Sequence, residues 1–150
     1  MLKNLKGLLL EILKRKGFSP VVLVDDGKMF GVQFVAKDVL FSIHIIPTGL
    51  EKIPYAVVLN SPAVVDLPTT TEVLLTILQM NLSIPIGAFG YSDGTLIYKH
   101  SITDNDLTEE ELDRIMDIAI SLVNVHANKI LRMFGGRLAL DFPPGFELKA

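Results

Sequence analysis

The sequence predicts an α+β domain, in which an antiparallel sheet packs against helices in the order α-β-β-β-(β)-α-β-β-α. The sheet is read as a three- to four-strand meander plus a later hairpin. Three observations carry this reading. Apolar residues recur at helical spacing at both ends of the chain and again between residues 69 and 82. β-type runs separated by short turn signals fill residues 21–60. Asp93-Gly94 then joins two further short runs directly ahead of a long last helix. At 150 residues the chain is the usual size of one domain with one core. Residues 1–136 read as that domain and residues 137–150 as an extended tail, with no repeat, low-complexity stretch or interdomain linker.

In the first helix Leu2, Leu5, Leu8, Leu9, Ile12 and Leu13 form a stripe, with Lys3, Lys6, Lys14 and Arg15 mostly off it, and Gly17 caps its end. Leu8-Leu9-Leu10 is broken by Glu11 and followed by Lys14-Arg15-Lys16, so it reads as an ordinary helix and not as a secretory leader. The runs Val21–Val24, Met29–Ala36 and Val39–Ile46 follow, joined by Asp25-Asp26-Gly27-Lys28 and by Lys37-Asp38. Both joints suit tight turns, so the three strands form an antiparallel meander. In the third, Val39, Phe41, Ile43 and Ile45 alternate with Leu40, Ser42, His44 and Ile46. Tyr55–Asn60 is one more strand, which Pro54 and Pro62 confine to an edge or a short length.

Thr69 and Glu72 fit a capping box for the second helix, whose apolar face reads as Val73, Leu74, Ile77, Leu78 and Met80. Pro85 ends helical geometry before the strand Ile86–Tyr91. Thr108 and Glu111 open the last helix, and Gly135-Gly136 stops it. On that helix Leu112, Ile115, Met116, Ala119, Leu122, Val123, Ile130 and Phe134 make one broad stripe. Ile118 and Val125 lie beyond the polar strip of Asp113, Asp117, Ser121, Asn124, Asn128 and Arg132. They widen the apolar arc to roughly 240°, more than one sheet covers. Either the first helix or a second subunit must meet it, and Ile118 and Val125 are the candidate self-association surface. In the tail, Phe142, Phe146 and Leu148 flank Pro143-Pro144-Gly145, the composition of an extended arm.

The composition is 49% hydrophobic, with a mean hydropathy of +0.43. No apolar run reaches the ~18 residues of a membrane span, so the surplus covers a partner surface. A net charge of −3 and a pI near 5.5 give no nucleic-acid footprint. The absence of cysteine excludes disulfides, thiolate catalysis and cysteine-ligated metal, and is compatible with the cytoplasm. His44, His100 and His126 lie on separate segments without ligand spacing, so no metal is expected. Asp104-Asn105-Asp106 and Glu109-Glu110-Glu111 lack the glycine and glutamate positions of a calcium loop and suit a helix N-terminus instead. There is no Gly-x-Ser-x-Gly elbow, no Walker A loop, and no dinucleotide fingerprint among Gly87, Gly90 and Gly94. No cofactor is implied.

The element order, with Leu78-x-x-Asn81, the Gly87-to-Tyr91 strand, Asp93-Gly94 and Leu107-Thr108-x-Glu110-Glu111-Leu112, resembles the YbjN domain family. Members are described as sensory transduction regulators and share the fold of the small class I type III secretion chaperones. The resemblance covers most of residues 1–134 in element order, with local residue similarity from Leu74 to about Leu122. It implies an α+β domain, often self-associating, with no catalytic residues to carry over. The first expectation is therefore a non-catalytic homodimer, chaperone-like or a regulatory adaptor, that binds a protein or peptide client. The alternative is a small-molecule sensor or an undetected enzyme with an apolar pocket between sheet and last helix, where Tyr91, Tyr98 and His100 are the candidate polar groups.

Overall fold

α1 (Leu2–Arg15) begins the chain in the computed structural model, which describes residues 1–141. It buries Leu5, Leu9, Ile12 and Leu13 and stops, as predicted, at Gly17. With φ at 81°, Gly17 donates its N–H to the Lys14 carbonyl while the Phe18 N–H reaches the Leu13 carbonyl. That reversal stacks the Phe18 ring on Phe34, centroids 5.1 Å apart.

β1 (Val21–Asp25), β2 (Phe30–Ala36) and β3 (Val39–Pro47) form the antiparallel meander. Asp26 shapes the first joint by accepting the N–H groups of Met29 and Lys28, and those bonds hold its carboxyl below the usual carboxylate range. Lys37 and Asp38 make the second joint with φ of 49° and 60°, the left-handed pair that a two-residue hairpin turn needs.

β4 (Tyr55–Val65) corrects the sequence reading. It has 11 residues and lies centrally, between β3 and β6 (Thr95–Thr103), where a short or edge strand was expected. The reason is local. Pairing with β3 has already ended at Asn60, and the ladder to β6 shifts register between Pro62 and Val64, so no regular ladder bond is asked of Pro62. α2 (Thr71–Leu82) is capped by Thr70, which accepts the Val73 N–H, and not by Thr69; the Thr69 hydroxyl pairs with that of Tyr91 instead. β5 (Ala88–Ser92) turns into β6 through Asp93-Gly94 as predicted. α3 (Glu109–Phe134) starts at the expected Thr108 cap, whose hydroxyl accepts the Glu111 N–H at 3.1 Å.

The sheet runs β1-β2-β3-β4-β6-β5, with β7 (Arg137–Leu138) pairing the end of β4. Phe30, Val32, Phe41, Ile43, Ile45, Val57, Leu59 and Leu96 of the sheet join α1 and α3 in one core. The segment expected to be an arm from Arg137 onward begins as structure. After β7 a 3₁₀ turn buries Ala139 against Leu40 and Val65. The rest of that segment, with Phe142, Phe146 and Leu148, lies outside the described residues.

Candidate functional site

A six-strand path leaves two edges, and the sequence treats them differently. At the β5 edge, Asn81 of α2 turns its side-chain amide onto the strand. Its Nδ2 donates to the Phe89 carbonyl and its Oδ1 accepts the Phe89 N–H, both at 2.8 Å. The amide thus satisfies a backbone pair that a further strand would otherwise take. β1 has no such cover: among the described residues its only strand partner is β2. Val21 and Val22 of β1 are 38% and 53% exposed. The strand carries a bulge between Val22 and Val24, and Lys6 of α1 ties down its far end at Asp25.

The second unusual surface is on α2. Val73, Ile77 and Met80 face the core, but Leu74, Leu75, Leu78 and Leu82 face outward, with Leu78 and Leu82 at 63% and 88% exposure. The sequence reading assigned Leu74 and Leu78 to the buried face, and the structure corrects this. At 100° per residue the buried three span about 60° around Val73, and the exposed four form a separate stripe on the opposite side. The signal is in the sequence: at 100° per residue Leu74, Leu75, Leu78 and Leu82 fall within one sector of about 100°, away from Val73, Ile77 and Met80.

α3 carries the candidate surface read from the sequence. Ile118 is half-buried within the chain, whereas Val125 is 64% exposed among exposed Ser121, Asn124, Asn128 and Lys129. At 100° per residue they share one helix face with half-buried Leu122 and with Met133, which is 49% exposed.

Tyr91, Tyr98 and His100 are engaged separately. Tyr98 is fully buried, donates its hydroxyl to the Ile86 carbonyl at 2.9 Å, and has its phenol pushed up by burial. Gly87, with φ at 72°, is required there, since a Cβ would sit 2.3 Å from the Tyr98 hydroxyl. The Tyr91 hydroxyl meets Thr69 and the Leu67 carbonyl. His100 is half-buried, and burial lowers its imidazole pKa against a smaller upward pull from Glu111. His44 and His126 are likewise lowered by burial. The His126 ring meets Phe89 edge-on at 5.3 Å, and its buried Nδ1 has no hydrogen-bond partner among the described residues. Among the described residues no three metal-ligating side chains gather. A cavity of about 200 Å³ does lie between α3 and the sheet, at the β2–β3 turn, and none of the three predicted polar groups lines it.

An open strand edge, an exposed leucine stripe and scattered, singly perturbed titratable groups define a protein-interaction module. Within that class, the chain belongs to the family of T3SS (YopN, CesT) and YbjN peptide-binding chaperones, TY-Chap1, whose model matches residues 23–142. The resemblance to the YbjN family and its chaperone-like fold is borne out. Among solved structures, a chain of the ExsC–ExsE complex is 15% identical with a TM-score of 0.56, covering 89% of this chain and 95% of that one. A chain of the HopA1–SchA chaperone–effector complex is 16% identical, TM-score 0.53, over 79% of this chain and 89% of that one. The Yersinia pestis type III secretion chaperone SycH in complex with a stable fragment of YscM2 is 15% identical, TM-score 0.52, over 81% and 98%. At these identities the likeness is one of fold. No curated protein matches the sequence.

Proposed function

We propose that this chain is a non-catalytic chaperone or adaptor that binds a segment of a client protein as an added strand on β1. The observation that carries the reading is the asymmetry of the sheet: among the described residues the β5 edge is closed at Phe89 by Asn81, and the outer edge of β1 has no strand partner. Main-chain bonds to β1 supply affinity without regard to sequence, and the exposed Val21 and Val22 beside them favour apolar side chains on the guest. The solved relatives include a chaperone–effector complex and a chaperone held with a partner fragment, which supports a protein client here. The test is amide exchange of the chain with a capped eight-residue peptide of alternating valine and lysine. Slowed exchange in Val21–Asp25 with none in Ala88–Ser92 is expected. No protection at β1, or protection confined to β5, refutes the reading.

A second observation favours self-association through α2. Leu74, Leu75, Leu78 and Leu82 together expose the equivalent of more than two whole leucine side chains. Two copies meeting on a two-fold axis bury about 7–14 kcal/mol of apolar surface at 1.5–3 kcal/mol per leucine. Set against an association cost of about 4–15 kcal/mol, the two terms are of the same size, which puts the expected homodimer at the weak end. The α3 surface of Ile118 and Val125 is the competing location, and of these two residues only Val125 is largely exposed.

A further inference from the structure

Between Asn60, where β4 stops pairing with β3, and Val64, where it starts pairing with β7, the sheet has a gap. Ser61 spans part of it by donating its hydroxyl to the Leu40 carbonyl at 2.8 Å, and Pro62 brings no N–H to leave unpaired. α3 and the sheet meet there through small residues, Ala63 and Ala127, with Val123, and Leu40, Leu138 and Leu140 complete the apolar lining. The result is the cavity of about 200 Å³. An apolar cavity of ~150 Å³ is already large enough for a benzene ring.

The mouth of this cleft is polar and carries one charge. Asp38, Asn124 and Asn128 line it and are exposed, and the Asn128 Nδ2 is engaged on the Asn124 carbonyl. The neighbouring Lys37 leans away toward Asp117 of α3, 3.7 Å off. Asp38 itself has no hydrogen-bond or ion-pair partner among the described residues. It is also held in a left-handed turn, φ 60°, which fixes where its side chain emerges.

We propose that this cleft seats one large apolar side chain, aromatic or leucine-sized, from the client segment, and that Asp38 selects a lysine or arginine next to it. The proposal rests on the peptide-binding reading and adds an anchor to it. The volume accommodates one such side chain and not two, and the lone carboxylate at the mouth complements a cation. Because Asp38 is exposed, its pairing adds selectivity more than affinity, a factor of roughly two to five.

The test uses methyl and amide NMR of the full chain with three probes: N-acetyl-Lys-Phe-amide, N-acetyl-Glu-Phe-amide and N-acetyl-Lys-Ala-amide. The expected result is saturable shifts at the Ala63 and Ala127 methyls and the Asn124 and Asn128 side-chain amides with the first probe. The second should bind roughly two- to fivefold more weakly, and the third should not bind measurably. Asp38→Asn keeps a residue that tolerates the left-handed turn, so it should fold unchanged and erase the preference for lysine over glutamate. Ala127→Met should fill the cleft and abolish binding of both phenylalanine probes while shifts elsewhere stay put. Phenylalanine and alanine probes binding alike, shifts outside the cleft, or a lysine preference that survives Asp38→Asn each overturn the proposal. Binding seen only after residues 142–150 are removed also overturns it, in favour of the chain's own C-terminal segment as occupant. Protection of β1 by the strand peptide with no shift in the cleft sinks this proposal alone, whereas absence of protection at β1 sinks the strand-addition reading on which it rests.

Discussion

Replacing Leu78 by aspartate separates self-association from folding. Leu78 is 63% exposed in the single chain. At about 1.5–3 kcal/mol for a fully buried leucine, hiding that fraction is worth about 1–2 kcal/mol per protomer, and about 2–4 kcal/mol across a two-fold interface that uses it twice. Aspartate removes this term and sets a carboxylate from each protomer against an apolar surface. At 1.4 kcal/mol per tenfold, the dimer dissociation constant should rise at least roughly 30- to 700-fold. The monomer should not suffer, because a solvent-facing substitution of this kind changes stability by less than about 0.5 kcal/mol. Sedimentation velocity from about 1 to about 100 µM brackets a weak dimer and distinguishes 16.5 kDa from twice that mass. Val125→Asp, on the competing α3 surface, is expected to leave the dimer intact. A wild-type chain that stays monomeric throughout, or a Leu78→Asp chain that dimerises like wild type, refutes the reasoning. If Val125→Asp is the variant that dissociates, the interface belongs to α3.

Two further perturbations test the edge and the buried imidazoles. Asn81→Ala removes both 2.8 Å bonds to Phe89, should cost about 1–3 kcal/mol in urea unfolding, and should accelerate exchange of the Phe89 amide; unchanged exchange there rules out the closed edge. Burial lowers the pKa of His44, His100 and His126 below the ordinary 6.5, so the unfolded chain binds more protons and stability should fall as pH drops through about 6.5, levelling off below the folded values. His126→Leu should flatten part of that slope between pH ~7 and ~5, and an unaltered slope means that His126 contributes nothing to it.

What was legible in the sequence is what local chemistry decides. Gly27 and the Asp93-Gly94 pair turn where they stand because the left-handed conformation is available to them. Thr108 caps because the Glu111 N–H is three residues away whatever the rest of the chain does. The features that escaped are set by neighbours far along the chain. Pro62 reads as a strand limit until β3 and β6 are known to leave it unpaired or bulged. Leu74 and Leu78 look like core until only one side of α2 is found to meet the sheet. Tyr98 looks like a pocket handle until Gly87 brings the Ile86 carbonyl over it. The cleft under α3 had no sequence signal at all, since it exists only where two separate pairings of β4 fail to meet.

The strand order bears on how the proposed surfaces work together. α2 packs beside β5 at one end of the sheet, and β1 is at the other, five strand spacings away. At about 4.8 Å per strand that is roughly 24 Å, so a copy docked on the leucine stripe need not touch the free edge. Asn81 serves this separation, because it closes the edge next to the stripe and leaves strand addition to the far side. A dimer built through α2 therefore presents two β1 edges on one body. A client segment long enough to reach both gains from effective concentration without any new contact, and a shorter one does not. Length dependence of client affinity, lost in Leu78→Asp but retained in Val125→Asp, is the behaviour this arrangement requires.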